Sequence, residues 1–415
     1  MVRVEYGVAT HTGRRENNED ASCALPELGL YAVADGLGGY EGGEVASLLA
    51  TRTLAEFVAE RRSELDRGPP SSETERFELW ENILVEGFCR AHEAIVAGQV
   101  GPLATMGSTL AAVLVPDGVA IVCNVGDSRV YLLRDELRQL TRDHTLYAEV
   151  LARGVGVPAD LRSSLRNELT RALGIEGGAA PDTLRVPVRS GDVFLICSDG
   201  VYESLPPEEI ARILRGGSPR QASESLVRRG YERGESDNMT AVVLHVREVE
   251  PRLLAAEDPA EATPTVKACA DRERRGGVQD GSQPASDQAQ SGTPPPRILL
   301  VMSDHWTRAL LRAELIERGY DVVGAPDLVT ALLCRPVERD RGPVRGILID
   351  QEVLVEPAVR LLDLLVSRHR NPPVLLLASP LLTSPSGPWK RVLYKPAAIG
   401  EIASAVEEAV PRVSA

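Results

Sequence analysis

The sequence contains little lysine, no closely spaced cysteine pair and no long apolar run. Lysine occurs only as Lys267, Lys390 and Lys395, so the basic residues are nearly all arginine. The six cysteines are widely scattered without a CxxC pair, which argues against a zinc site. No apolar run approaches the roughly 18 residues of a membrane-spanning helix, and no signal peptide is recognisable. These absences predict a protein of the reducing cytoplasm that has no membrane partner.

Negative charge dominates the first part of the chain. The 415 residues carry a formal net charge of −14, and most of the acid excess lies in residues 1–248. An acidic segment suits the binding of cations and argues against a nucleic-acid partner. The length permits two domains, possibly three, and the 43% of hydrophobic residues is enough for a sizeable core.

Three segments of different composition follow one another. Residues 1–248 alternate strand-like runs with two helical stretches, Gly43–Arg62 and Glu73–Ala97, which predicts a mostly antiparallel sheet system with helices outside. Its strand candidates are Leu30–Asp35, Ser108–Val115, Val119–Val125, Arg129–Leu133, Asp192–Cys197 and Met239–Val246. Residues 249–296 are rich in Pro, Ala, Gln and Ser, and from Pro251 onward they contain no aromatic residue, which predicts a flexible linker.

Residues 297–415 alternate strands and helices again. The strand candidates are Ile298–Met302, Gly346–Asp350, Val374–Ala378 and Arg391–Tyr394, and the helix candidates are Thr307–Arg318 and Ile399–Val410. This alternation predicts a parallel α/β sheet that is covered on both faces.

Four acidic motifs follow or interrupt the strand-like runs of residues 1–248. They are Arg15–Asp20 (RENNED), Asp35–Gly39 (DGLGG), Ser198–Gly200 (SDG) and Ser236–Asn238 (SDN). Each alone is also typical of a turn. If they converge, two carboxylates about 4 Å apart repel by roughly 4 kcal/mol at an effective dielectric constant of about 20. Because hard cations such as Mg²⁺ prefer oxygen ligands, the motifs together predict a site for two metal ions.

Three further stretches complete an ordered set. They are Gly107–Thr109 (GST), Gly126–Arg129 (GDSR) and Asn167–Gly174 (NELTRALG). In this order the seven stretches resemble the bacterial type 2C metal-dependent protein serine/threonine phosphatases (the PPM family). The resemblance covers nearly all of residues 1–248. It implies an α+β fold, an antiparallel β-sandwich flanked by helices, with two Mn²⁺ or Mg²⁺ ions in a cleft at one end.

The same resemblance implies the ligands of these ions. Asp35 would bridge the two ions, and the carbonyl group of Gly36 would add a ligand. Asp199 and Asp237 would complete the shell of the first ion. Two ions that share a water lower its pKa and ready it to attack phosphorus.

Other acidic residues have less direct roles. Glu19 and Asp20 would act through metal-bound waters or as outer-shell ligands. Asp127 of the GDSR motif would help to bind a third, weaker metal, or would instead hydrogen-bond Ser128 and Arg129 and fix the loop. Both interpretations of Asp127 stay open at the level of sequence.

Arg15 is the candidate phosphate clamp, because a guanidinium group can hold two phosphate oxygens at once. The alternative is a surface arginine that pairs with Glu16 or Glu19. His144 either donates a proton to the leaving oxygen or is a structural residue at the base of a mobile flap, residues 143–181. Leu37 stands where many relatives outside bacteria carry a histidine, so the general acid is not identified by the sequence.

Residues 297–415 resemble a response-regulator receiver domain, which implies a flavodoxin-like fold. Asp350 ends a strand where the phosphoacceptor of a receiver would lie, and Lys395 matches its lysine. The acidic pair expected after the first strand is replaced by Met302 and Ser303, with Asp304 one place further on. Without that pair, Mg²⁺-dependent phosphorylation of Asp350 should be poor. We therefore expect a pseudo-receiver used for binding or dimerisation, with a working receiver as the alternative.

The sequence thus predicts a cytoplasmic protein serine/threonine phosphatase, 1–248, joined by a linker, 249–296, to a receiver-like regulatory module, 297–415. Its partners would be phosphoproteins and a serine/threonine kinase. The alternatives are a pseudophosphatase that binds phosphoproteins, and a regulator in a partner-switching or two-component-linked pathway. A long linker also predicts that basal catalysis does not need residues 297–415.

Overall fold

The computed structural model describes residues 2–37, 42–65, 72–175, 180–249, 265–267, 295–334, 337–338, 342–379 and 387–411. These residues form two compact units. The first comprises residues 1–145 and 169–273, and the second comprises residues 146–168 and 274–415. The predicted domain boundaries at 248 and 297 stay predictions. The two units differ from the predicted segments in two places: residues 146–168 group with the C-terminal residues, and the units divide inside the predicted linker, between residues 273 and 274.

The first unit contains two antiparallel sheets. Its strands are β1 (Val2–His11), β2 (Asp20–Leu25), β3 (Leu30–Leu37), β4 (Gly107–Ser108), β5 (Leu110–Leu114), β6 (Val119–Val125), β7 (Arg129–Leu133), β8 (Leu137–Gln139), β9 (Asp182–Pro187), β10 (Val193–Cys197), β11 (Met239–Val249) and β12 (Thr265–Val266). One sheet has the order β1-β11-β10-β7-β8, and the other has the order β12-β9-β6-β5-β3-β2, with β4 paired to β3.

The helices up to residue 249 are α1 (Gly43–Leu65), α2 (Glu73–Gly98), α3 (Leu146–Ala152), α4 (Arg162–Arg166), α5 (Asp199–Ser204), α6 (Pro207–Leu214) and α7 (Pro219–Glu232). Helices α3 and α4 belong to the second unit. The predicted helices over Gly43–Arg62 and Glu73–Ala97 match α1 and α2 to within a few residues.

Four layers build the first unit. Tyr31 and Val113 from one sheet and Phe194 and Val242 from the other belong to one buried cluster between the sheets. The outer face of the β5-containing sheet packs against α1 and α2, and the outer face of the β10-containing sheet packs against α5, α6 and α7. Each fully buried Val, Leu or Phe side chain contributes about 1.5–3 kcal/mol to the free energy of folding. The three apolar interfaces between the four layers therefore hold the strand ends in place. The predicted α+β sandwich is confirmed for this unit.

A short part of the predicted linker is ordered. Strand β12 pairs with β9, where Thr265 lies opposite Thr183, and Lys267 N donates to the Pro181 carbonyl at 2.9 Å. The Lys267 ammonium also lies 3.8 Å from a carboxylate oxygen of Glu81. The remainder of the linker, 250–264 and 268–294, lies outside the described residues.

The second unit contains a parallel sheet. Its strands are β13 (Arg297–Val301), β14 (Asp321–Ala325), β15 (Val337–Glu338), β16 (Gly342–Asp350), β17 (Val374–Ala378) and β18 (Trp389–Tyr394), and its C-terminal helices are α8 (His305–Glu317), α9 (Leu328–Ala331), α10 (Leu362–Arg368) and α11 (Ile399–Ala409). The order is β14-β13-β16-β17-β18, and all four pairings along it are parallel. Strand β15 adds an antiparallel pairing to β16.

Alternate residues of these strands face opposite sides of the sheet. Leu299 and Ile347 belong to a buried cluster on one face, and Ile298 and Leu348 belong to a cluster with α8 and α11 on the other. The sheet is therefore covered on both faces, as the continuous apolar runs of the sequence predicted.

Candidate active site

Two neighbouring strands carry the first pair of predicted acidic residues. Asp20 is the first residue of β2 and lies directly opposite Asp35 of β3 in the antiparallel register. The Asp35 amide donates to Thr109 Oγ1 at 2.9 Å. The Gly36 amide donates to the Glu19 carbonyl at 3.1 Å. A Cβ atom at position 36 would lie 2.1 Å from the Gly43 carbonyl oxygen, so only glycine fits where β3 approaches α1.

The ends of β10 and β11 bring the second pair to the same place. Asp199 follows β10 as the first residue of α5, and the preceding Ser198 hydroxyl donates to Asp20 Oδ2 at 2.7 Å. Asp237 stands two residues before β11. The side chain of Asn238 accepts the Glu19 amide at 2.7 Å and thereby ties the first acidic motif to the fourth.

The electrostatics show that these carboxylates share one volume. Burial raises the pKa of Asp35 well above its usual range, and the charges of Asp20, Asp199, Asp127 and Asp237 raise it further. Burial and the charges of Asp127 and Asp237 likewise raise the pKa of Asp199 well above its usual range. Convergence of the acidic motifs, inferred from sequence alone, is therefore present in the fold.

Two further carboxyl groups of the cluster are shifted upward. Burial raises the pKa of Asp20 to about 6, although hydrogen bonds from Thr240 and Ser198 oppose the shift. Burial and the charge of Asp143 raise the pKa of Asp127 to about 7. Burial and mutual repulsion of this kind make the cluster a favourable place for a cation, which would stabilise the ionised carboxylates.

Two orphaned oxygens show where that cation would act. Asp20 Oδ1 and Asp199 Oδ1 are buried and have no hydrogen-bond partner within the described ranges. A buried carboxylate oxygen without a partner is unfavourable unless a cation binds it. In the same ranges, no three or more Asp, Glu, His or Cys side chains form a preassembled metal-binding group. Carboxylate oxygens are the ligands that Mg²⁺ and Mn²⁺ prefer, so the chemistry of these side chains fits either ion.

Arg15 lies at this cluster. Its Nη2 is 2.8 Å from Asp237 Oδ2, and its side chain is 57% exposed. The alternative sequence interpretation, a pairing with Glu16 or Glu19, is not the contact that forms. Glu19 nevertheless feels the Arg15 charge, which opposes the burial that raises the pKa of the Glu19 carboxyl.

The GDSR loop uses its polar side chains elsewhere than at Asp127. Arg129 donates through Nε and Nη2 to the two carboxylate oxygens of Asp143, at 2.9 and 2.6 Å. Ser128 Oγ lies 2.7 Å from Thr109 Oγ1. Both expected partners of Asp127 thus hydrogen-bond other residues, although the Arg129 charge still lowers the pKa of Asp127. The Asp127 charge in turn raises the pKa of Asp35 and of Asp199.

His144 lies in the protein interior, away from solvent. It is completely buried, its Nδ1 accepts the Gly126 amide at 3.1 Å, and its Nε2 lies 3.3 Å from Asp182 Oδ2. Burial lowers its pKa below the usual range. A buried imidazole with both nitrogens directed at protein groups cannot reach a leaving oxygen, so the structural alternative for His144 is the one that the geometry supports.

Several site residues were missed at the level of sequence. Ser198 and Asn238 lie inside predicted motifs, and their position next to an acidic residue was the available signal. Thr240 and Glu203 had no such signal, because Thr240 looks like any residue of a β-strand and Glu203 like any exposed acid of a helix. Yet Thr240 lowers the pKa of Asp20, and the Glu203 charge raises the pKa of both Asp127 and Asp199.

The second unit has a small cluster of polar side chains. Lys395 Nζ lies 2.8 Å from Asp350 Oδ2 and 2.8 Å from Glu352 Oε1. Ser303 Oγ is 3.5 Å from the other Glu352 oxygen. Asp304, predicted to belong with Asp350 and Lys395, caps α8 by accepting the Thr307 amide at 2.6 Å, and its charge also acts on Glu352. Sequence analysis did not identify Glu352, whose pKa the Lys395 ammonium lowers.

Comparisons with known proteins agree with the first unit. A family model described as "Protein phosphatase 2C" matches residues 9–241, which is more than half of the chain. The serine/threonine phosphatase stp of Listeria innocua is 35% identical over 246 residues, which are 57% of this chain and 93% of that protein.

Two solved structures are similar as well. The structure of the Mycobacterium tuberculosis serine/threonine phosphatase PstP has a TM-score of 0.51 and 31% identity, and the alignment covers 60% of this chain and all of that one. A structure of the PstP catalytic domain in complex with two manganese ions has a TM-score of 0.49 and 30% identity, over 60% of this chain and 100% of that chain. The order of acidic motifs, their convergence in the sandwich and the family match lead to one conclusion: the chain belongs to the protein phosphatase 2C family.

Proposed function

We propose that the chain hydrolyses phosphoserine and phosphothreonine in proteins at the acidic cluster of the first unit. The observation that carries this proposal is the pair of buried, unpartnered oxygens of Asp20 and Asp199 beside Asp35. Asp35, the Gly36 carbonyl, Asp199 and Asp237 would hold two divalent ions. When bound, such ions supply Lewis acidity that activates water and neutralises charge on the phosphoryl group.

The residues around the cluster have distinct tasks. Ser198 holds Asp20 in one orientation and is itself held by the Thr240 amide, and Glu19 and Asp20 would orient the waters of the ions. Asp127 would contribute to a third, weaker site. These assignments are predictions, and all of them are compatible with one reaction: hydrolysis of a phosphate monoester by water, without a covalent phosphoenzyme.

Arg15 has a role that depends on the state of the site. In the structure its guanidinium neutralises Asp237. If Asp237 served as a metal ligand, Arg15 would be free to turn its planar fork to the phosphate oxygens of the substrate. The large exposed fraction of the side chain leaves it room for this movement.

Metal-dependent turnover tests the proposal. The full chain should release phosphate from a phosphothreonine peptide and from p-nitrophenyl phosphate with Mn²⁺, and EDTA should abolish both activities. Binding of the phosphopeptide without turnover across metals and pH would instead establish the alternative, a pseudophosphatase.

For the C-terminal module we propose a pseudo-receiver with a flavodoxin-like fold. Numbered within the module, the main parallel sheet has the order 2-1-3-4-5, which is the flavodoxin-like order. Lys395 bridges Asp350 and Glu352, while Ser303 stands where a receiver would carry an acidic metal ligand. Such a module favours binding over phosphorylation, with dimerisation as one form of that binding.

The cellular setting is also a proposal. The relatives are named as serine/threonine phosphatases, and phosphoserine and phosphothreonine are made by serine/threonine kinases, so we propose such a kinase as the opposing partner. A partner-switching or two-component-linked role is the alternative. No described helix is long and apolar enough to cross a membrane. Four cysteines are free thiols, namely Cys23, Cys123, Cys197 and Cys334, whereas Cys89 is disulfide-bonded. Disulfide bonds are rare in a reducing compartment, so the cysteines do not decide the location, and the cytoplasm stays a prediction.

A further inference from the structure

Residues 146–168 lie between β8 and β9 in the sequence, but they are not part of the unit to which both strands belong. We call this segment the insertion. Its ends meet, because Thr145 and Leu169 form an isolated β-bridge and Leu146 N donates to the Glu168 carbonyl at 2.9 Å. The insertion is therefore a closed loop that carries α3 and α4. It packs with the part of the second unit from β13 onward, which we call the C-terminal domain.

Apolar side chains hold the insertion in this unit. Leu146, Val150 and Leu165 are fully buried, and they share one hydrophobic cluster with Leu361 and Leu365 of the C-terminal domain. A segment as short as the insertion cannot bury such side chains by itself. Its buried state therefore depends on the C-terminal domain.

Two polar contacts fix the register of this packing. Arg368 Nη2 donates to Glu168 Oε1 at 2.6 Å, and the Arg368 side chain is only 10% exposed. Arg360 Nη1 donates to the Arg153 carbonyl at 3.4 Å. Removing one partner of a buried ion pair leaves an uncompensated charge, so the Arg368–Glu168 pair disfavours any other arrangement.

The residues that flank the insertion contact the GDSR loop inside the first unit. The His144 carbonyl accepts the Thr170 amide at 2.8 Å, and the His144 ring accepts the amide of Gly126. Asp143 holds the guanidinium of Arg129. The ends of the insertion are thus bonded, through residues directly before and after them, to the loop that carries Asp127.

We propose that the insertion is the docking surface through which the C-terminal domain of the same chain keeps the catalytic domain in its active arrangement, with the Arg368–Glu168 pair as the polar anchor. The activity part of this inference rests on the proposed phosphatase function. It reverses the expectation, drawn from the length of the linker, that catalysis is independent of residues 297–415.

A charge exchange in the full chain tests the proposal. Arg368→Glu places two carboxylates against each other, and it should accelerate hydrogen–deuterium exchange in residues 146–168 at least tenfold. It should also lower kcat/KM for p-nitrophenyl phosphate at least threefold and raise the half-saturating Mn²⁺ concentration at least threefold, because the Asp127 loop loses its support. The double variant Glu168→Arg with Arg368→Glu should restore all three values to within twofold of the unmodified chain.

Matched variants separate docking from general destabilisation. Arg318→Glu breaks an ion pair with Glu407 in the same unit and should leave exchange in the insertion unchanged. Glu168→Arg alone gives the same test if Arg368→Glu disturbs the C-terminal domain. Unchanged exchange in both single variants overturns the docking. Faster exchange with unchanged or increased kcat/KM overturns the coupling. An unmodified chain that is inactive with Mn²⁺ contradicts the phosphatase function and leaves the exchange test intact.

Discussion

Ser198 and Asp20 lie 178 residues apart in the sequence, and the serine hydroxyl donates a hydrogen bond of 2.7 Å to the aspartate Oδ2. The same hydroxyl accepts the Thr240 amide at 3.0 Å. One side chain therefore joins the starts of β2, α5 and β11 at the acidic cluster.

Removing this hydroxyl should weaken metal binding. In Ser198→Ala, Asp20 loses a partner that fixes its orientation, and a hydrogen bond to a charged group contributes about 1.5–3 kcal/mol. We expect the half-saturating Mn²⁺ concentration to rise about tenfold, as measured by calorimetric titration. Ser190→Ala, which removes an exposed hydroxyl bonded to the Arg247 carbonyl, should have no such effect. Equal metal affinity in both variants would contradict the role of Ser198.

Asp35→Asn should separate stability from catalysis. The neutral amide replaces a carboxyl group whose ionisation is disfavoured by burial and by four other aspartates, so we expect the metal-free protein to melt about 2–4 °C higher. Activity should fall at least about 100-fold, because one kcal/mol of lost transition-state stabilisation already costs about fivefold. Differential scanning fluorimetry with and without Mn²⁺ provides the measurement. A variant that still gains stability from Mn²⁺ as the unmodified chain does would remove Asp35 from the site.

Arg15→Ala should affect phosphate more than metal. The change frees Asp237 from its ion pair, so the affinity for Mn²⁺ should stay equal or increase. The loss of a bidentate clamp should lower kcat/KM about tenfold and weaken inhibition by inorganic phosphate to a similar degree. Arg14→Ala is the adjacent control and should behave as the unmodified chain. Unchanged inhibition by phosphate in Arg15→Ala would exclude the clamp.

Asp182 offers a prediction about pH. It is buried, but the hydrogen bond from Arg171 and the close approach of His144 outweigh that burial and lower its pKa from 3.8 to about 2. Because the folded pKa is the lower one, its stabilisation is present above about pH 4 and is lost as the pH falls towards 2. Asp182→Asn should therefore reduce the free energy of unfolding by about 1–2 kcal/mol at pH 7, after allowance for solvent screening. Urea denaturation at pH 7 and pH 3 should show this difference shrinking, and a constant difference would contradict the assignment.

Asp350 should resist phosphorylation. Lys395 lies between Asp350 and Glu352, and Ser303 offers no carboxylate for Mg²⁺. Intact-mass spectrometry after incubation with acetyl phosphate and Mg²⁺ should show no added phosphoryl group on the second unit. Its appearance at Asp350, absent in Asp350→Asn, would favour the working receiver instead.

Strands with clear local boundaries were the ones that the sequence predicted best. Strand β6 (Val119–Val125) begins after Gly118 and ends before Gly126, so its apolar run and its glycine flanks coincide. Strand β1 was missed, although Val2, Val4, Tyr6 and Val8 alternate with other residues in the manner of a half-buried strand. Strand β14 was missed as well, because Asp321–Ala325 is short and contains Gly324.

The site was predictable as a set of acidic residues but not as an arrangement. Motif order located Asp35 and Asp199, whereas the bond of Asn238 to Glu19 depends on a register between distant strands. The partner of Arg15 could not be read from its neighbours Glu16 and Glu19, because Asp237 reaches it only after folding. Leu146, Val150 and Leu165 look like core residues of either unit, so composition could not assign the insertion.

The packing of the insertion also affects how the catalytic domain can be produced as a fragment. A chain that ends at residue 248 keeps Leu146, Val150 and Leu165 but loses the apolar side chains that cover them. Such uncovered leucine and valine side chains form an exposed hydrophobic patch that promotes self-association. A truncated protein should therefore precipitate at concentrations where the intact chain stays dispersed, and polar replacements at these three positions would be the rational way to recover it.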